Sequence, residues 1–149
     1  RNAGYIAVNA GVACGATCIV TQEEPITTDE IAEKIKKAQA TGKHHFIIVV
    51  SEGVGNSVEL AKEIEQKTGV ESRATILGHV QRGGSPTVRD RVVASQMGHY
   101  AVELLSKGIG NRVVGMQDGK IIDRDIQEAL SMKKAFETDL YRIANEISF

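Results

Sequence analysis

Gly78-His79-Val80-Gln81-Arg82-Gly83-Gly84-Ser85-Pro86 sets a His and an Arg three residues apart in a glycine-rich turn. Glycine lets backbone approach a ligand closely, and the planar Arg fork matches phosphate oxygens. A run with strand character, Arg73-Ala74-Thr75-Ile76-Leu77, leads into the turn, and a helical pattern follows from Thr87. Ser85 reads as an N-cap and Pro86 as a first helical residue. A helix N-terminus, which favours anions, would then open beside the turn. The chemistry on offer is anion capture. The same residues also read as an ordinary strand–turn–helix junction with a solvated Arg.

Glu52 lies just beyond the strongest apolar run, Phe46-Ile47-Ile48-Val49-Val50. Ligands of open α/β sheets bind outside the carboxyl ends of strands, and a carboxylate there can accept hydrogen bonds from sugar hydroxyls. A solvated loop Glu is the alternative. Arg73, His79 and Arg82 gather potential positive charge around one predicted strand. A neutral His still donates one hydrogen bond. The alternatives are a core His and surface ion pairs. Cys14 and Cys18 have no further Cys or His at zinc spacing, so no metal site is predicted. They read as buried free thiols of a cytosolic protein. Arg89, Arg91, His99, Arg112 and Asp123 read as solvated surface or helix-pairing groups.

The elements that must position these groups alternate between strand and helix, which argues for a parallel α/β sheet with flanking helices. A small-residue helix is predicted over 3–13, with Ile6, Ala10 and Ala13 along one face. A short strand follows at 17–21. Thr27 and Glu30 form a capping box for a helix with Ile31 and Ile35 inward, ended by Gly42. Residues 45–51 read as a central strand buried on both faces. A helix stopping at Gly69, a strand over 72–77 and a long helix over 87–106 come next. Two short strands flank Asp118-Gly119, a hairpin signal. Two helices, from about Asp125 and about Glu137, close the chain. With 149 residues the chain can bury a sizeable core. Its formal net charge of −1 suggests neither nucleic acid nor a membrane surface as partner. No apolar run approaches the roughly 20 residues that span a bilayer.

Arg73 to Asp90 closely resembles the sugar-phosphate segment of bacterial 6-phosphofructokinases. Arg1-Asn2-Ala3-Gly4-Tyr5 resembles the end of that family's Met-Gly-Arg-x-x-Gly motif. Gly42-Lys43-His44-His45, Val49-Val50-Ser51-Glu52-Gly53, Gly115-Met116-Gln117 and Ile126-Gln127-Glu128-Ala129-Leu130 agree in order and spacing. The resemblance covers the whole chain and about the C-terminal half of a family member. It implies a Rossmann-like parallel sheet, the C-terminal portion of a two-domain phosphofructokinase fold. Residues 1–80 would belong to the smaller substrate and effector domain. Residues 81–131 would belong to the larger nucleotide domain, and 132–149 would return to the smaller one. The apolar face of the long helix would then be uncovered, which predicts a sticky or oligomeric chain.

By the same resemblance, Glu52 contacts fructose 6-phosphate. His79, Val80, Gln81 and Arg82 hold its 6-phosphate, and Arg73 reaches it from a neighbouring subunit of a tetramer. Arg1 matches the Arg near the transferred phosphoryl group, a substrate-binding and catalytic position. Gly15, Ala16, Thr17, Thr41, Lys43, His44 and His45 match an effector site for ADP or phosphoenolpyruvate. Thr17 replaces a usual acidic residue that helps hold the effector's magnesium, so a weak ADP response is expected. The implied reaction is glycolytic, cytoplasmic transfer from ATP, with Mg2+, to the sugar 1-hydroxyl. A pyrophosphate-dependent relative and a non-catalytic sugar-phosphate or effector-binding module are the alternatives. The family's nucleotide loop and catalytic Asp have no counterpart in these residues. No tightly bound cofactor and no activity are therefore expected of this polypeptide alone.

Overall fold

The computed structural model describes residues 2–148. The element order is α1 (Tyr5–Ala13), β1 (Cys18–Val20), α2 (Thr28–Ala40), β2 (Ile48–Val50), α3 (Ser57–Thr68), α4 (Val88–Ser106), β3 (Arg112–Gln117), β4 (Lys120–Asp125), α5 (Ile126–Ser131) and α6 (Thr138–Glu146). Short 3-10 turns cover Glu52–Val54 and Gly78–Arg82. The described residues divide into two units. One runs up to Ile76 and resumes at Ala135; the other is Leu77–Lys134.

In the first unit, strand alternation decides which helix packs where. β1 and β2 pair in parallel, Cys18 opposite Ile48 and Val20 opposite Val50. Successive strand side chains point to opposite faces. Cys18, Val20, Ile48 and Val50 therefore meet Ile31 and Ile35 of α2 and Ile64 of α3. Ile19 and Val49 face the other way, onto Ala7 and Val8 of α1 and Tyr141 and Ala144 of α6. The result is a layered α/β/α unit. Its helices are punctuated as the sequence dictates. Thr27 accepts from the Glu30 amide while Glu30 accepts from the Thr27 amide, and Gly69 ends α3 in the left-handed region.

The second unit is α4 against the antiparallel β3–β4 hairpin, followed by α5. Asp118 and Gly119 both have positive φ, 51° and 77°, as a two-residue hairpin turn requires. Tyr100 Oη donates to Asp123 Oδ1 at 2.7 Å, and Arg112 Nε donates to Asp123 Oδ2 at 2.5 Å, fastening helix to hairpin. Val88, Val92, Val102 and Leu105 remain exposed along α4, and Leu104 is buried.

Several expectations are corrected. Residues 72–77 form no strand: among the described residues β2 hydrogen-bonds only to β1, and no ladder takes up Arg73–Leu77. Their side-chain types supply propensity but not a partner. β2 is shorter than expected and half-buried, because β1 offers it only three residues. α1 buries Ala7, Val8 and Gly11 and leaves Ile6 70% exposed, so the face shared by Ile6, Ala10 and Ala13 is the exposed one. Gly11 decides this, since a Cβ there would lie 2.5 Å from Ile19 Cδ1. α4 is capped by Thr87, not Ser85. Thr87 has Asp90 three residues on to complete a reciprocal cap, whereas Ser85 has Val88. Cys18 is buried as a free thiol, but Cys14, just past the end of α1, is exposed.

Candidate functional site

Parallel pairing brings the carboxyl ends of β1 and β2 to one edge of the sheet. There Ser51 donates its amide to the Val20 carbonyl at 2.9 Å, and the chain turns into Glu52–Val54. Glu52 is exposed on that turn, while Ser51 beside it is buried. Gln22 Nε2 donates to the Gly53 carbonyl at 2.6 Å and ties the two strand ends together. The start of α1 closes on the same edge. The Gly4 amide donates to Glu23 Oε1 at 2.9 Å, which holds the Glu23 carboxyl below its ordinary range. A Cβ on Gly4 would stand 2.6 Å from Thr21 Cγ2, so only glycine allows this approach. Arg1 lies outside the described residues.

The amino ends of the strands form the opposite edge. Thr17 donates its amide to the Ile47 carbonyl at 2.8 Å. Gly15 takes φ of 64° and Ala16 is buried. Thr17 is only 2% exposed, and its hydroxyl has no hydrogen-bond partner. Thr41 Oγ1 donates to the Ala38 carbonyl at 2.8 Å and so is occupied in ending α2. Lys43 is half-buried; His44 and His45 are exposed. The sugar-contact and effector-contact expectations thus fall at opposite edges of one two-stranded sheet.

A groove of about 350 Å³ lies in this unit, floored by Phe46, Ile48, Val50, Leu60 and Ile64 and rimmed by His44, His45, Glu71, Ser72 and Arg73. It brings Arg73 together with His44 and His45, which sequence reasoning had kept apart. Arg73 Nε and Nη2 both donate to Glu71 Oε1, at 3.0 and 2.6 Å. His79, Val80, Gln81 and Arg82 belong to the other unit, where the 3-10 turn Gly78–Arg82 exposes all four. Gly78 enters that turn at φ of 58°. His79 and Arg82 carry N–H donors on that exposed turn, while Glu52 lies in the other unit.

Sequence reasoning missed Glu71, although its i, i+2 spacing from Arg73 was the available signal. It also missed the Tyr100–Asp123–Arg112 cluster, which no local pattern marks. Hydrogen bonds from Tyr100 and then Arg112 hold the Asp123 carboxyl below its usual range. Among the described residues, no group of three or more His, Cys, Asp or Glu could hold a metal ion.

Comparison with known proteins decides the family. The sequence model of the family described as Phosphofructokinase matches residues 1–105. This chain belongs to the phosphofructokinase family. It is 52% identical over 148 residues to the ATP-dependent 6-phosphofructokinase 1 of Clostridium perfringens, covering 99% of this chain and 46% of that protein. It is 49% identical over the same length and with the same coverage to the ATP-dependent 6-phosphofructokinase of Bacillus cereus. Among solved structures, the phosphofructokinase of Saccharomyces cerevisiae superposes with a TM-score of 0.76 at 27% identity, over 99% of this chain and 22% of that one. The T-state phosphofructokinase of Pichia pastoris gives 0.74 at 26%, over 99% and 17%. The chain therefore spans about half the length of its curated phosphofructokinase relatives. The α/β architecture of a parallel sheet with flanking helices is that of phosphofructokinases.

Proposed function

We propose that this chain is the C-terminal portion of an ATP-dependent 6-phosphofructokinase and supplies its fructose 6-phosphate and effector contacts. The observation that carries the reading is 52% identity over 148 residues to a protein so named, of which the chain spans 46%. Residues 1–80 and 132–149 serve as the smaller substrate and effector domain, and 81–131 as part of the nucleotide domain. Glu52 accepts hydrogen bonds from sugar hydroxyls. His79 and Arg82 donate to the 6-phosphate, with Val80 and Gln81 presenting the same turn, and Arg73 reaches it from a neighbouring subunit of a homotetramer. Arg1 stands near the transferred phosphoryl group, whose oxygens need positive charge in the transition state. Gly15, Ala16, Thr17, Thr41, Lys43, His44 and His45 form an effector contact for ADP or phosphoenolpyruvate.

ATP supplies the phosphoryl group and Mg2+ neutralises its charge when bound. The described residues do not fit such a site, since they hold no cluster of metal-ligating side chains and the sequence has no Gly-x-Gly-x-x-Gly or Walker-type nucleotide loop. Among the described residues no helix is long and apolar enough to cross a membrane; the proposed place of the enzyme is glycolysis in the cytoplasm.

The test is donor-dependent turnover. The full-length enzyme carrying this chain is expected to convert fructose 6-phosphate to the 1,6-bisphosphate with ATP. A polypeptide of these 149 residues alone is expected to form none. Turnover with pyrophosphate and not ATP in the full-length enzyme would overturn the donor assignment.

A further inference from the structure

Arg73 is not idle in this structure. Its Nε and Nη2 converge on one oxygen of Glu71, at 3.0 and 2.6 Å, along one of the guanidinium edges that can grip an anion bidentately. The segment carrying both residues lies in no strand, and the two side chains sit on the rim of the groove described above. Both are strongly exposed in the single chain, 85% for Arg73 and 71% for Glu71. We infer that Glu71 is a gate on Arg73, a positioning residue that occupies the guanidinium edge until a phosphate dianion displaces it. The inference rests on the reading of Arg73 as a phosphate contact.

The physical argument is one of competing anions. A carboxylate carries one negative charge, and a phosphate monoester carries nearly two at neutral pH. The dianion outcompetes Glu71 for the fork, whereas a singly charged or neutral sugar does not. Glu71 therefore lowers affinity modestly and sharpens selection for the phosphorylated sugar. The effect is small because exposed ion pairs are weak, about 0.2–1 kcal/mol, or roughly a 1.5- to 5-fold change. Salt screens it further.

The experiment compares Glu71→Gln, Glu71→Asp, Arg73→Ala and Glu71→Gln/Arg73→Ala in the full-length enzyme at low ionic strength. The readouts are KM for fructose 6-phosphate, kcat, and the thermal midpoint as a control on folding. Glu71→Gln is expected to lower KM roughly 1.5- to 5-fold with kcat unchanged. Glu71→Asp, which keeps the charge, is expected to stay near the unmodified value. The gain is expected to vanish in the Arg73→Ala background and to shrink as salt is raised. An unchanged or raised KM in Glu71→Gln, or a gain that persists without Arg73, overturns the gate and leaves the phosphate contact standing. An unchanged KM in Arg73→Ala alone overturns both.

Discussion

Tyr141, near the end of the chain, donates its hydroxyl to the backbone carbonyl of Ile19 in β1 at 3.2 Å, across 122 positions of sequence. Tyr141 is a core residue, packed with Ile19, Ala7 and Ala144 and tilted against Phe136 at 5.8 Å between ring centroids. The bond takes up a carbonyl in a strand whose only partner among the described residues is β2. Tyr141→Phe keeps the ring and removes the donor, leaving that carbonyl short of a partner. The expected loss is about 0.5–1.5 kcal/mol in denaturant unfolding of the first unit. No change in the midpoint would mean that the hydroxyl contributes nothing to docking α6.

Alkaline stability follows from the same residue and its neighbour Cys18. Burial pushes the Tyr141 phenol above its ordinary value of 10.0 and the Cys18 thiol above 9.0. The folded state therefore keeps protons that the unfolded chain gives up. Between the ordinary and the raised values the unfolded state binds fewer protons, so stability falls as pH rises. This contribution is complete below about pH 9 and declines above it. Denaturant midpoints at pH 8 and pH 10.5 measure the loss. Tyr141→Phe is expected to make it smaller, and an equal loss in both proteins would remove Tyr141 from the account.

Thr17 offers a test that separates packing from ligand contact. Its hydroxyl is buried and unpaired, a state that ordinarily costs about 1–3 kcal/mol relative to a satisfied group. Thr17→Val removes the polar atom at nearly constant volume. It is expected to raise stability by about 1 kcal/mol in this chain. Thr17→Glu is expected to lower stability, because it places a carboxylate at a position only 2% exposed. Thermal midpoints of the two variants check both directions. A destabilised Thr17→Val would show that the hydroxyl has a partner worth keeping, as an effector contact would require.

Local chemistry explains which parts of this fold were legible in the sequence. The Thr27–Glu30 box, Gly69 and Asp118-Gly119 each fix a boundary through bonds made within a few residues, and each stands where it was read. Arg73–Leu77 failed because a strand is a relation between two segments, and no neighbour takes up its ladder. The sequence did not mark which face of α1 is buried, because close approach, with Gly11 against Ile19, outweighs the hydrophobicity of Ile6. At the candidate site, residue types and motif spacing marked Glu52 and the His79–Arg82 turn. They could not show that Glu71 occupies Arg73 or that Thr17 is buried, since both depend on how side chains pack.

The Gly78–Arg82 turn carries the sharpest prediction about substrate. Arg82 and His79 are exposed on one 3-10 turn whose entry at Gly78 needs positive φ. An Arg fork gripping a phosphate makes a charge-assisted bond of about 1.5–3 kcal/mol. In the full-length enzyme, Arg82→Ala is therefore expected to weaken fructose 6-phosphate binding about 10- to 150-fold, with a smaller loss for His79→Ala. Arg82→Lys should recover only part of the loss, because an ammonium cannot grip two oxygens at once. Glu52→Gln tests the proposed sugar-hydroxyl contact. It should weaken fructose 6-phosphate and leave inorganic phosphate, measured as a competitor, nearly unaffected, since phosphate offers no sugar hydroxyl. Substrate saturation curves with phosphate as competitor distinguish the two contacts. If Arg82→Ala and Glu52→Gln changed both ligands equally, the division of labour between turn and strand end would be wrong.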